Sequence, residues 1–151
     1  MLDTETLHFK IGLAGTYWNK RPAYSILVND KMLVSGQVKV DSGELFYIEF
    51  DCDLDEGPAS LKIRLENKDD SDVVKDDDTK EDFIIVKDLL LHIRSIVIDE
   101  IDLGQLIFSK STFTGNDPAR PILDSCIDLG WNGTYEIKFF SPFYIWLLEN
   151  I

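Results

Sequence analysis

The chain has 151 residues, of which 44% are hydrophobic, 11% aromatic and 28% charged. A chain of that length buries roughly 68–70% of the surface it exposes when unfolded, enough for one self-sufficient core, and the composition is far from that of a disordered chain. Fifteen basic residues against 28 acidic ones leave a net charge of −13, which speaks against nucleic acid or a membrane surface as a partner.

The opening, Met1 to Thr6, carries Asp3 and Glu5 where a signal peptide has a basic stretch followed by an apolar run, so an unexported protein is expected. No apolar run approaches the eighteen or so residues that span a bilayer. Leu7, Phe9, Ile11 and Leu13 then alternate with polar or small residues, the two-residue period of a half-buried strand. Tyr24 to Val28 and Met32 to Val38 flank Asn29-Asp30-Lys31, whose Asn and Asp tolerate the left-handed backbone of a tight hairpin. The clearest alternation is Leu45 to Leu54, where Phe46, Ile48, Phe50, Cys52 and Leu54 face Tyr47, Glu49, Asp51 and Asp53. Glu56-Gly57-Pro58 breaks the ladder as a turn, and Leu61, Ile63 and Leu65 resume it.

Residues 51 to 82 hold 13 acids and five bases, eight of the thirteen net negative charges. Within them, about 68–82 reads as a long exposed acidic loop (Asp69, Asp70, Asp72, Asp76, Asp77, Asp78, Glu81 and Asp82 against Lys75 and Lys80). From Phe83 to Phe108 the β-branched Ile93, Ile96, Val97 and Ile98 outweigh the helical start that Leu89-Leu90-Leu91 offers, and two strands are expected. Asp99-Glu100 then forms a tight corner into a short strand that ends near Gly104. Asn132-Gly133 signals a hairpin between Ile127 to Leu129 and Tyr135, Ile137 and Phe139; it also heads a glycosylation sequon with Thr134, but the turn reading is preferred. The tail reads two ways. Ser141-Pro142 can start a helix, yet Phe143-Tyr144-Ile145-Trp146 has the stronger preference for a strand.

Eight or more short strands with regular turn signals, and no convincing long amphipathic helix, predict a single all-β domain over 1–151. The expected fold is an antiparallel, two-sheet, jelly-roll-like β-sandwich, with a short C-terminal helix as the alternative ending.

Chemistry is less legible. His8 and His92 fall on the polar faces of predicted strands with no nucleophile motif beside them, and no GxSxG, HExxH, CxxC or Gly-rich phosphate loop occurs, so no catalytic residue is assigned and a non-enzyme is expected. Cys52 and Cys126, 74 positions apart, read as reduced thiols. Calcium enters as an optional cofactor. A hard cation takes six to eight oxygens and the acidic loop offers carboxylates, but the loop lacks the glycine-bearing EF-hand spacing and reads more plainly as a solvated, self-repelling surface. No metal ligand is therefore named. Two aromatic-amide pairs, Tyr17-Trp18-Asn19 after Gly15 and Trp131-Asn132 after Gly130, have the make-up of a sugar platform, an aromatic face flanked by hydrogen-bonding groups. Each could equally fold back to cap an end of the sandwich. Phe143, Tyr144 and Trp146 lie in an apolar ending suited to burial in the domain or to a partner interface.

The C-terminal stretch from Asp128-Leu129-Gly130-Trp131-Asn132-Gly133-Thr134-Tyr135 through Ser141-Pro142-Phe143-Tyr144-Ile145-Trp146 resembles small proteins of tailed bacteriophages, marine and cyanobacterial ones especially. The hairpin Ala23 to Lys31, preceded by Gly15-Thr16-Tyr17-Trp18, is similar to the opening of calcium-dependent xylan-binding modules, which are jelly-roll sandwiches usually attached to exported enzymes. The first resemblance implies a non-catalytic virion structural or accessory protein, present in the virion and in the host cytoplasm during assembly. Its partners would be other virion proteins or copies of itself in a homo-oligomer. The second implies the alternative, a calcium-assisted carbohydrate-binding module that recognises a host or environmental polysaccharide.

Overall fold

The computed structural model describes residues 3–77 and 79–151; the sequence readings that involve Met1, Leu2 and Asp78 lie outside the described residues. In chain order the strands are β1 (Thr4–Thr16), β2 (Ala23–Val28), β3 (Lys31–Gln37), β4 (Phe46–Asp55) and β5 (Gly57–Leu65). After them come a single 3-10 turn (Asp70–Asp72), β6 (Val74–Lys75), β7 (Ile85–Lys87), β8 (Leu90–Ile98), β9 (Ile101–Asp102) and the short helix α1 (Leu106–Ser109). The chain closes with β10 (Ser111–Gly115), β11 (Leu123–Asp124), β12 (Asp128–Leu129), β13 (Gly133–Ser141) and helix α2 (Phe143–Asn150). One sheet runs β12-β8-β1-β4 with β9 paired to β8, and the other runs β11-β10-β13-β5-β2-β3. All pairings are antiparallel, and β6 and β7 form a small separate ribbon. The expected jelly-roll-like sandwich is what the chain forms.

The period-two patterns explain this directly, because alternate residues face one side of a strand. Leu7, Phe9, Ile11 and Leu13 of β1 and Leu91, Ile93, Ile96 and Ile98 of β8 pack against Ile26 and Val28 of β2, Leu61, Ile63 and Leu65 of β5 and Tyr135 and Ile137 of β13, all essentially without exposure. Each such side chain contributes about 1.5–3 kcal/mol by leaving water. Asn29 (φ +50°) and Asp30 (φ +63°) make the predicted left-handed turn between β2 and β3, and Asp99 (φ +48°) and Glu100 (φ +67°) make the corner between β8 and β9. On β4, at the edge of its sheet, Glu49, Asp51, Asp53 and Asp55 point outward.

Three expectations change. The hairpin around Asn132-Gly133 does not form: β12 pairs with β8 in one sheet, whereas β13 pairs with β10 and β5 in the other, so residues 130–132 cross between sheets. Gly133 is required for a different reason than a turn, since a Cβ there would lie 2.5 Å from the Thr114 carbonyl oxygen. The tail is helix α2, not a strand. Phe143, Trp146 and Leu147, at helical spacing, bury one stripe, with Phe143 and Trp146 packed around Phe139, and the Glu5 carboxylate accepts the Phe143 N–H at 2.8 Å and the Ser141 hydroxyl. Phe143 and Trp146 therefore belong to the chain's own core, and of the three residues expected at a partner interface only Tyr144 is exposed. The acidic segment, finally, is ordered in part: it contains the 3-10 turn and β6, and Asp72 is wholly buried. Among the described residues, no helix is long and apolar enough to cross a membrane.

Candidate functional site

The register places four connections at one end of the sandwich. Thr16 pairs with Leu90, Tyr24 with Leu65 and Leu65 with Gly133, so residues 17–22, 66–73, 85–89 and 130–132 emerge together. Both aromatic-amide pairs lie there. A hollow of about 450 Å³ opens at this end, lined by Thr16, Tyr17, Trp18, Ile85, Val86, Lys87, Asp88 and Leu90. That volume is within the range of small-ligand sites, roughly 300–1,000 Å³. A hollow of similar size between β3 and β4 has no aromatic residue in its lining (Val28, Asn29, Lys31, Leu33 and Asp51 to Leu54), which leaves the first as the candidate.

Trp18 is 44% exposed, yet it is not loose. Its Nε1–H donates to the Asp72 carbonyl at 2.8 Å, and the Lys87 ammonium lies 4.8 Å from the ring centroid. Tyr17, in the same lining, is half-buried, its hydroxyl donating to the Val40 carbonyl at 2.8 Å and its ring covered by Arg21 at 5.4 Å. Asn19 is exposed, and its side chain helps hold the Asp72 carboxylate ionised.

Trp131 and Asn132 serve differently. The Trp131 ring is half-buried against Phe113 (5.7 Å between centroids) and under the Arg120 guanidinium (4.2 Å), and its Nε1 is buried without a hydrogen bond. Asn132 accepts the Lys68 N–H through Oδ1 and donates Nδ2–H to the Lys68 carbonyl, both at 2.8 Å. Lys68 in turn reaches Asp88 and the Gly130 carbonyl, each at 2.6 Å. The Trp131-Asn132 loop is thus a brace that fixes Asp88 at the rim of the hollow.

Several site groups carried no sequence signal. His92, expected on the surface, has an imidazole only 11% exposed. Its Nδ1 lies 2.7 Å from the Asp128 carboxylate and its Nε2 lies 2.7 Å from the Thr16 hydroxyl, so the imidazole bridges the two. Burial pushes the Asp128 carboxyl up, but the hydrogen bond and charge of His92, with Arg94 at 3.0 Å, outweigh it and hold the group below its usual value. The Thr16 hydroxyl, held by His92, lines the hollow. The adjacent Tyr17 N–H, the backbone donor nearest in sequence, already donates to the Ser42 hydroxyl at 3.0 Å. Thr16, His92 and Asp128 lie in three different strands, so spacing could not have found them.

Beneath Trp18, Lys20 Nζ donates to Asp69 at 2.8 Å and lies 3.0 Å from Asp72 Oδ2. The hydrogen bond from Lys20, then that from Ser71, holds the Asp69 carboxyl down at about 2. Burial raises Asp72, but the Asp69 N–H, Lys20 and Asn19 outweigh it and the net direction is down. Asp72 Oδ1 is buried and makes no well-formed hydrogen bond. These residues do not make a calcium site. The ion needs six to eight oxygens, whereas an ammonium stands between the two carboxylates and, among the described residues, no three acidic, thiol or imidazole side chains converge.

No protein-family model and no curated protein matches the chain. Among solved structures it is similar to vCBM60 in complex with galactobiose, with a TM-score of 0.52 and 10% identity over 86% of this chain and 96% of that one. It is similar also to the selenomethionine form of vCBM60, at TM-score 0.53 and 10% identity over 87% and 89% of the two chains. That second structure is described with a circular permutation linking two families of calcium-dependent carbohydrate binding modules. These likenesses support the sandwich-module resemblance and leave the phage one without support; at 10% identity, what the chain shares with both structures is the fold.

Proposed function

We propose that the chain is a non-catalytic carbohydrate-binding module whose sugar-facing surface is the hollow beside Trp18. The observation that carries this reading is a half-exposed indole fixed at its edge by the bond to the Asp72 carbonyl, with Tyr17, Thr16, Lys87 and Asp88 lining the same hollow. The apolar face of a pyranose stacks on such a ring while its hydroxyls exchange hydrogen bonds with the polar rim. Thr16 and Asp88 would accept from sugar hydroxyls and Lys87 would donate. Trp131 and Asn132 act from behind, through Lys68. The net charge of −13 favours neutral glycans over polyanionic ones; the sandwich shared with vCBM60, solved with galactobiose, makes galacto-oligosaccharides the first ligands to try, and the resemblance of the Ala23 to Lys31 hairpin to xylan-binding modules adds xylo-oligosaccharides.

The test is a glycan array followed by titration calorimetry on wild type, Trp18→Ala and Thr16→Val. A glycan whose affinity drops at least tenfold in Trp18→Ala, with folding intact, supports the reading. A glycan bound equally well by both proteins moves the site elsewhere.

A second reading keeps an assembly role, as in a virion. The outer face of α2 leaves Tyr144, Ile145, Leu148 and Ile151 exposed next to one another in sequence or at helical spacing. Light scattering over a wide concentration range tests it, and a monomer throughout rejects it.

A further inference from the structure

We propose that Lys20 is a built-in cation of the ligand-facing end: its ammonium takes the position a divalent ion would occupy, so that Trp18 is held in place without calcium. The sandwich is shared with calcium-dependent modules, and the turn beneath Trp18 has the first requirement of a cation site, a carboxylate with no exposure, that of Asp72. A buried carboxylate is strongly unfavourable unless it is paired and hydrogen-bonded. Here Oδ2 accepts the Asp69 N–H at 2.7 Å and faces Lys20 Nζ at 3.0 Å, while Oδ1 has no well-formed hydrogen bond at all. Lys20 enters from solvent with its side chain one-third exposed and binds Asp69 as well, at 2.8 Å. Asp69 in turn caps the 3-10 turn by accepting from Ser71, and the Asp72 carbonyl at the end of that turn accepts the Trp18 indole N–H. One cation therefore ties two carboxylates, a turn and the platform together. Without the ammonium, the Asp69 carboxylate and Asp72 Oδ2 would face a vacancy open to solvent on one side, which a divalent ion with its waters could enter.

The inference rests on the proposed function only for its consequence on sugar binding, since the charge replacement is read from melting. Wild type, Lys20→Ala, Lys20→Arg and the double variant Lys20→Ala/Asp72→Asn are melted in chelator and in millimolar calcium, following tryptophan emission. Wild type and Lys20→Arg should melt alike in both. Lys20→Ala should fall by several degrees in chelator and recover at least half of that in calcium, and the double variant should melt above Lys20→Ala in chelator because it has no buried charge left to neutralise. If Lys20→Ala does not fold in chelator, refolding in calcium is the readout; if it folds in neither, recovery by the double variant supports the proposal and continued failure overturns it. Three other results overturn it: a wild-type melting temperature that drops in chelator, a Lys20→Ala protein as stable as wild type there, or one that calcium leaves unchanged. If the melting pattern appears but no glycan binds, the sugar reading fails and the cation assignment stands.

Discussion

Trp18-Asn19 and Trp131-Asn132 are the same dipeptide, each in a loop at the same end of the sandwich, and they come to opposite uses. Trp18 follows a long strand and stands at a polar turn that bonds its N–H, so nearly half of the residue remains exposed even with the Lys87 ammonium over the ring. Trp131 follows a two-residue strand at a crossing between sheets, where Gly115 has no side chain and the indole lies in the space a Cβ would fill, its Nε1 only 2.6 Å from that position. Arg120 covers it from outside. The two amides diverge in step, one bordering a buried carboxylate and the other fastening two backbone segments. A tryptophan becomes a platform or a brace according to whether its surroundings leave room for the ring beneath the surface.

The largest effect should therefore come from the brace. Trp131→Ala is expected to destabilise by about 3–5 kcal/mol in urea unfolding, while Trp131→Phe, which keeps the ring and removes a buried unbonded N–H, should cost at most about 1.5 kcal/mol. Equal costs for the two would mean that packing is not what the ring supplies. Gly115→Ala, which drives a methyl group into the same ring, should follow at about 1–3 kcal/mol. On the platform side, Trp18→Ala should change stability by only about 1 kcal/mol while abolishing glycan binding, and the reverse outcome would make the two residues alike.

Acid sharpens the contrast further. The folded values of Asp69 and Asp72 are both lowered. Their contribution is thus complete above the unfolded carboxyl value of about 3.9 and is lost as pH falls toward the folded value, about 2 for Asp69. Emission from Trp18, isolated in a Trp131→Phe/Trp146→Phe background, should change across that window; a flat trace from pH 4 to 2 would sever the turn from the platform. The smallest effect lies far from both loops. His8 is exposed, and the hydrogen bond to Asp51, then that to Glu49, raises its value. It stabilises fully below about 6.5 and less as pH rises through the raised value, so a slight fall in melting temperature above neutrality should vanish in His8→Gln.

Most of the framework could be read from the sequence because burial on one face of a strand writes a period of two into it. Phe9, Ile11, Ile63 and Ile137 are core residues by pattern and in fact, the left-handed turn at Asn29-Asp30 carries residues that tolerate it, and the corner at Asp99-Glu100 shows as a break in the apolar pattern. What failed depended on partners distant in the chain. Gly133 looked like a turn glycine because nothing local announces the Thr114 carbonyl pressing on it. Phe143 to Trp146 favours strand by composition, but Phe139 and Glu5 supply the packing and the cap that make a helix. In the site, Trp18 was legible as an aromatic in a loop, whereas Thr16, His92 and Asp128 meet only through strand register. Lys20 and Asp72, 52 positions apart, are invisible as a pair.

The carboxylates along β4 have one more effect. An edge strand offers unpaired backbone groups to any other strand, and identical molecules could join through it. With Glu49, Asp51, Asp53 and Asp55 all facing out along that border, two copies that approach edge to edge bring like charges into register. At the isoelectric point of about 4.4 the molecule as a whole carries no net charge and its general self-repulsion is gone, so protection against self-association is itself a function of pH, and concentrated storage belongs well above that value.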